Sequence, residues 1–125
     1  MARLLIMGAG VSGHTAALHA HRKLKADHEV IVVSPNSKWN WIPSNIWVGV
    51  GFMNKEQVTF DLAPVYKKVG IPFYQAKATA IYPEGSDEIS QPFIEISHTS
   101  PERIGEKETL TYDYLINATG PRLRF

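Results

Sequence analysis

Four apolar residues, Leu4-Leu5-Ile6-Met7, run directly into Gly8-Ala9-Gly10-Val11-Ser12-Gly13, and small residues continue through Ala17. That order specifies a buried strand, a tight turn and a helix whose N-terminus faces an anionic group. Gly8 would permit the sharp turn, Gly10 would let the backbone approach a pyrophosphate, and Gly13 would let helix and strand pack closely. Beyond the turn, Gly10, Gly13, Ala17, Ala20 and Leu24 recur at three- and four-residue steps. They form a stripe of small and apolar residues for the sheet, with Ser12, Thr15, His19, Arg22 and Lys23 on the other side, as an amphipathic helix requires. Glu29–Ser34 then supplies a second apolar strand. The strand-helix-strand unit so completed has about the ~30 residues expected of a dinucleotide-binding unit.

Composition narrows the reading further. A chain of 125 residues, 44% hydrophobic and 20% charged, is long enough for one domain with a packed core. A net charge of +1 argues against nucleic acid as a partner, which would call for a concentrated basic face. No apolar run approaches the roughly 18–20 residues of a membrane span. Leu4–Met7 is also too short for the apolar core of a signal peptide. The sequence contains no cysteine, which removes disulfides, thiolate metal sites and a cysteine nucleophile from this chain. These features are compatible with the cytoplasm.

After the second strand, Ser34-Pro35-Asn36-Ser37 marks a turn. Many dinucleotide folds place a carboxylate near this point to bond the ribose hydroxyls. Here Ser34 or the Asn36 amide would have to take that role. The segment 38–51 follows, with Trp39, Trp41 and Trp47 beside Pro43, Gly49 and Gly51. Aromatic side chains are costly to expose, so this loop is expected to pack on the protein itself or to wall a planar redox ligand. A helix is expected toward Lys68, with Asp61 as cap, Pro64 in the first turn, Gly70 as terminator and Leu62, Val65, Tyr66 and Val69 facing inward. Strands are expected over 71–81, 93–97 and 109–112, separated by turns; they suggest an antiparallel meander inserted between parallel strands. Tyr114–Ala118 reads as the last strand and ends in Thr119-Gly120-Pro121, small residues that would let a ligand approach its C-terminal edge.

The remaining polar groups offer little chemistry. His14, His19, His21, His28 and His98 include no pair at the four-residue helical spacing that metal sites use. They are expected to be solvated, as are Asp87-Glu88 and Glu106–Glu108 in turns. No metal ligands or catalytic residues are assigned, and no Ser-His-Asp arrangement is supported by spacing.

Taken together, Gly8-x-Gly10-x-x-Gly13-x-x-x-Ala17, the inserted meander and Tyr112-Asp113-Tyr114-Leu115-Ile116-Asn117-Ala118-Thr119-Gly120 resemble the FAD-binding part of the flavoprotein pyridine nucleotide-disulfide oxidoreductases. Within that superfamily, Pro43–Gly51 and Ala118-Thr119-Gly120-Pro121 look most like sulfide:quinone oxidoreductases. The resemblance implies an α/β, Rossmann-like FAD/NAD(P)-binding domain, with residues 1–125 as its truncated N-terminal part and the remainder of the enzyme absent. It implies FAD as cofactor, with Gly8, Ala9, Gly10, Val11 and Ser12 cradling the pyrophosphate and Gly13 packing beneath them. Ser34 and Pro35 would lie at the adenosine ribose, where members of this branch often have serine. Lys77 and Ala78 would meet the adenine end through backbone groups, and Ala118, Thr119 and Gly120 would close over the cofactor. Pro43 and Trp47–Gly49 would approach the isoalloxazine side; Ile46 departs from the pattern, since relatives often carry proline there.

The same resemblance implies sulfide and quinone as substrates of a full-length enzyme, through cysteines beyond Phe125. The present chain would be inactive alone. Membrane contact would be peripheral, through C-terminal segments not in this sequence, and homo-oligomerisation is left open. Two other readings share the residues: a type II NADH dehydrogenase or other NAD(P)H-dependent flavoenzyme, and a non-catalytic nucleotide-binding or regulatory module whose tryptophan loop docks a protein.

Overall fold

A computed structural model describes residues 1–121 and Arg124. Arg122, Leu123 and Phe125, which the expected domain includes, lie outside the described residues. Strand β1 (Arg3–Met7) leads through the glycine turn into helix α1 (Val11–Leu24), and β2 (Glu29–Ser34) returns beside β1. There follow β3 (Lys38–Asn40), a 3-10 turn (Ile42–Ser44), the short helix α2 (Asn45–Gly49), β4 (Thr59–Asp61) and helix α3 (Leu62–Val69). Strands β5 (Phe73–Tyr82), β6 (Phe93–His98), β7 (Lys107–Thr111) and β8 (Tyr114–Asn117) complete the described elements.

A six-stranded sheet has the order β7-β6-β5-β2-β1-β8. The four strands β5, β2, β1 and β8 are parallel, with Leu5 opposite both Ile31 and Leu115 and Val33 opposite Tyr74. Strands β5, β6 and β7 pair antiparallel. The meander is therefore inserted in sequence, but in space it extends one edge of the sheet. Its first strand, β5, belongs to both the parallel and the antiparallel part. The architecture is the mixed α/β, Rossmann-like one expected from the sequence.

Alternation along the central strands divides the core between the two faces of the sheet, since successive residues of a strand point in opposite directions. Leu5, Met7, Ile31 and Val33 join Ala76, Ile94, Ile96 and Leu110 of the meander. Ile6, Val30 and Val32 join Ala17 of α1 and Leu62 and Tyr66 of α3. Both faces of β1 and β2 are thereby covered, which explains their nearly continuous apolar sequence.

Some expectations are corrected by packing. Val69 is exposed rather than inward, because it occupies the last position of α3 before Gly70 turns the chain away at φ +85°. Asp61 holds the N-cap position without a side-chain capping bond; its carboxylate instead accepts a hydrogen bond from Lys38 Nζ at 2.8 Å. The aromatic loop is partly ordered structure, since its first residues form β3 and pair with β4 beyond its end. Two histidines expected at the surface are buried. His14 lies beneath α3 and the aromatic pair β3–β4, with its Nδ1 2.7 Å from the Tyr66 hydroxyl. His98 lies between β5 and β7, with Nε2 2.9 Å from Glu108. Glu106 is exposed as expected, beside Arg103 at 2.6 Å, whereas Glu108 stands half-buried in β7 rather than in a turn, 3.7 Å from Arg103.

Candidate functional site

The C-terminal ends of β1, β2 and β8 open onto one cleft of about 760 Å³. Such an edge, outside the carboxyl ends of parallel strands, is where open α/β sheets bind ligands. Its floor is built from the glycine turn. Gly8 adopts φ +100°, a backbone region that side chains rarely tolerate. Its amide donates to Val33 O at 2.8 Å, while Ala118 N donates to Met7 O at 2.7 Å. The turn is thus pinned between β2 on one side and the end of β8 on the other.

The next glycines serve different purposes. A Cβ on Gly13 would collide with the Gly8 carbonyl, so this position sets how closely α1 rises over the turn. A Cβ on Gly10 would have nothing within 4 Å. Gly10 lines the cleft, and its open side is the space a ligand would take.

Gly10 also stands at the N-cap of α1, without a side-chain cap. The first intrahelical bond runs from His14 N to Gly10 O at 2.9 Å. The amides at the start of the helix are orphan donors at its positive end. No acidic residue occupies the first turn, whereas His21, Arg22 and Lys23 lie in the last. The cleft lining includes Lys38 and Lys77 but no carboxylate. Backbone donors, helix dipole and Lys77 agree in sign, while Lys38 is paired with Asp61: the cleft suits an anion.

Of the residues expected at the site, Gly8, Ala9, Gly10, Val11, Ser12, Ser34, Pro35, Lys77, Ala78, Ala118, Thr119 and Gly120 line this cleft. Gly13 lies beneath it. Pro43 and Trp47 are not among the lining residues. The turns over 42–49 instead direct Trp47 against Phe52, with ring centroids 6.1 Å apart, and hold the chain there by Phe52 N donating to Trp47 O at 2.9 Å. Ile42 reaches the cleft in their place.

At the β2 end, Ser34 is buried and its Oγ accepts from Asn36 N at 3.3 Å. The Thr99 hydroxyl donates to Pro35 O at 2.8 Å, tying the meander to this corner. At the β8 end, Asn117 Oδ1 accepts from the Thr119 hydroxyl at 2.8 Å, and Gly120 takes φ +84°. Those bonds fix the small-residue edge facing the glycine turn.

Lys38 and Asn40 also line the cleft and were not anticipated. They share one face of β3, while Trp39 between them packs against Phe60 and Trp41 at 5.0 and 5.7 Å. A polar-aromatic-polar alternation was the available signal, but it spans only three residues. Among the described residues, no cluster of three or more His, Cys, Asp or Glu is placed to hold a metal ion. No helix there is long and apolar enough to cross a membrane.

No family model matches the chain. Among curated proteins, it is 29% identical to the sulfide-quinone reductase of Aquifex aeolicus (strain VF5) over 122 residues, covering 98% of this chain and 25% of that protein. The chain therefore spans about a quarter of the length of this relative. The X-ray structure of the sulfide:quinone oxidoreductase from Aquifex aeolicus superposes with a TM-score of 0.77 at 28% identity, over 100% of this chain and 26% of that one. NDH2 from Plasmodium falciparum, in complex with NADH, gives a TM-score of 0.78 at 21% identity, over 98% of this chain and 23% of that one. A NAD-dependent persulfide reductase from A. fulgidus gives 0.74 at 23% identity, over 94% of this chain and 21% of that one. These last two establish the shared fold. The resemblance to sulfide:quinone oxidoreductases drawn from the motifs is present in both sequence and structure, alongside a wider set of oxidoreductases.

Proposed function

We propose that this chain is the N-terminal part of the FAD-binding domain of a flavoprotein oxidoreductase, of the type that oxidises sulfide and reduces quinone. The observation that carries the cofactor reading is the meeting of two sequence-distant signatures, Gly8–Gly13 and Ala118–Gly120, around one anion-suited cleft. The sulfide and quinone assignment is supported by the 29% identity to sulfide-quinone reductase over nearly the whole chain.

The residues fit a dinucleotide. The open side of Gly10 admits a pyrophosphate against the α1 amides, and Lys77 adds positive charge on the wall, the Lys38 ammonium being paired with Asp61. Ser34 and Pro35 would border the ribose, Lys77 and Ala78 the adenine, and Ala118–Gly120 the far side. Bound FAD would supply two-electron redox chemistry. This sequence has no thiol to contribute, so capture of sulfide would fall to cysteines outside it and peripheral membrane contact to later segments.

Titration of the chain with ADP and FAD, followed by amide NMR, tests the cleft. Shifts are expected at Gly10–Gly13, Ser34, Ala78, Thr119 and Gly120; their absence at millimolar ligand overturns the dinucleotide reading. Gly10→Val is expected to weaken binding at least about tenfold by filling the approach path. Since no atom lies within 4 Å of a Cβ there, stability should change by no more than about 1 kcal/mol. Undiminished binding by Gly10→Val would remove the pyrophosphate from this turn.

The substrate is tested on a flavin-containing form of the natural protein under anaerobic conditions. Bleaching of flavin absorbance by sulfide and not by NADH is expected. Bleaching by NADH alone replaces the sulfide reading with an NADH dehydrogenase, to whose fold the chain is equally close. A purified natural protein without flavin overturns both.

A further inference from the structure

We propose that Asn40 is a cofactor-contacting residue whose side-chain amide takes the hydroxyls of the polyol chain between the pyrophosphate and the flavin ring. The inference rests on the FAD reading above. Among the described residues, two buried side-chain polar atoms lack a hydrogen-bond partner, Asn40 Oδ1 and the Nε1 of its neighbour Trp39. Buried polar atoms are nearly always bonded, and one left orphaned calls for an explanation.

The two orphans stand in different settings. Trp39 faces away from the cleft into an aromatic group with Phe60, Trp41 and His14. Asn40 lies on the cleft wall. Its cleft-facing neighbour on β3, Lys38, is already committed to Asp61 at 2.8 Å. Across the cleft, the Thr119 hydroxyl is committed to Asn117, and Ser34 Oγ already accepts from Asn36 N. Asn36 is exposed and can be solvated. Asn40 Oδ1 has neither a protein donor nor solvent, and its residue borders the space proposed for a ligand.

An amide suits a polyol, because it offers both an acceptor and a donor to hydroxyl groups. Its terminal torsion is broad and roughly two-fold, so about half a turn exchanges the end presented to the cleft. Position along the chain selects the half of the dinucleotide. Ser34 and Pro35 are the first cleft residues after β2, and they share the lining with Lys77 and Ala78 at the proposed adenosine end. Lys38, Asn40 and Ile42 follow next along the chain on the same cleft, and the proposal sets them at the flavin half.

The test compares the wild-type chain with Asn40→Leu, using FAD and ADP as separate ligands and thermal unfolding as a control. ADP carries the pyrophosphate and adenosine but no polyol. Asn40→Leu is expected to weaken FAD binding about tenfold, as loss of a ligand hydrogen bond does, and to leave ADP binding within about twofold. Its unfolding midpoint should stay level or rise, because an apolar side chain removes the orphaned oxygen. Asn40→Ala, which cannot overfill the site, should give the same separation of FAD from ADP if Asn40→Leu fails to fold. Unchanged FAD affinity, or equal losses for FAD and ADP, overturns the assignment. A wild-type chain that responds to neither ligand overturns instead the dinucleotide reading on which it rests.

Discussion

Gly8→Ala is expected to destabilise the fold by roughly 2–6 kcal/mol, the sum of a strained backbone and a steric conflict of roughly 1–3 kcal/mol each. Gly8 sits at φ +100°, where any side chain is strained. Its Cβ would also enter the Ala118 carbonyl and come to 3.0 Å from Thr119 N. Neither neighbour can retreat cheaply. Ala118 is held by its amide bond to Met7 O, and moving it would break the β1–β8 register at Met7 and Asn117. Against a total stability of roughly 5–15 kcal/mol for a domain, the loss should lower the melting temperature by several degrees or more. Circular dichroism during thermal or denaturant unfolding measures it. Gly10→Ala is the control, since its Cβ meets nothing. If Gly8→Ala and Gly10→Ala melt together, the turn is not pinned by β8 as described.

The contrast between these two glycines shows what a sequence can and cannot express. The spacing Gly8-x-Gly10-x-x-Gly13 announced a strand, turn and helix because backbone demands of that kind are local. The apolar runs of β1 and β2 were legible for a similar reason: strands buried on both faces need uninterrupted apolar residues. The cradle residues and the Ala118–Gly120 edge were identified through their resemblance to a family, and their convergence on a single cleft became visible only in three dimensions.

What escaped the sequence depends on partners far along the chain. Lys38 and Asn40 belong to a strand of three residues, too short for alternation to be recognised inside an aromatic loop. Its pairing with Thr59–Asp61 is what orients both side chains. The composition of the loop around Trp47 left packing on the protein and walling a flat ring equally open, and the direction of its side chain is set by the tight turn to Phe52. His14 is adjacent to the Gly13–Ala17 stripe on α1, and helix periodicity alone leaves it at the boundary. Its burial is decided by Tyr66, which reaches it from α3.

That buried pair gives the second large effect, a stability profile that falls on both sides of neutrality. His14 contacts Tyr66 from α3, Trp39 from β3 and Phe60 from β4, and burial lowers its pKa below the ordinary 6.5. The unfolded chain therefore takes up the proton first as pH falls. The stabilisation is complete above about pH 6.5 and is lost as pH drops through the lower folded value. Burial pushes the Tyr66 hydroxyl the other way, up to about 12 from 10.0. Its stabilisation is complete below about pH 10 and disappears as pH rises toward about 12. Tyr66→Phe should remove the alkaline loss and cost roughly 1–3 kcal/mol at neutral pH by leaving His14 Nδ1 buried without its partner. His14→Leu should flatten the acid limb at a similar neutral cost, from the unpaired Tyr66 hydroxyl. The double variant should regain part of both costs, since replacing both members of a buried hydrogen bond is milder than replacing one. Denaturant midpoints measured from pH 5 to 11 for the four proteins test this. Parallel profiles for wild type and His14→Leu below pH 6.5 would show that acid sensitivity arises elsewhere, and additive losses in the double variant would show that the two side chains are not coupled.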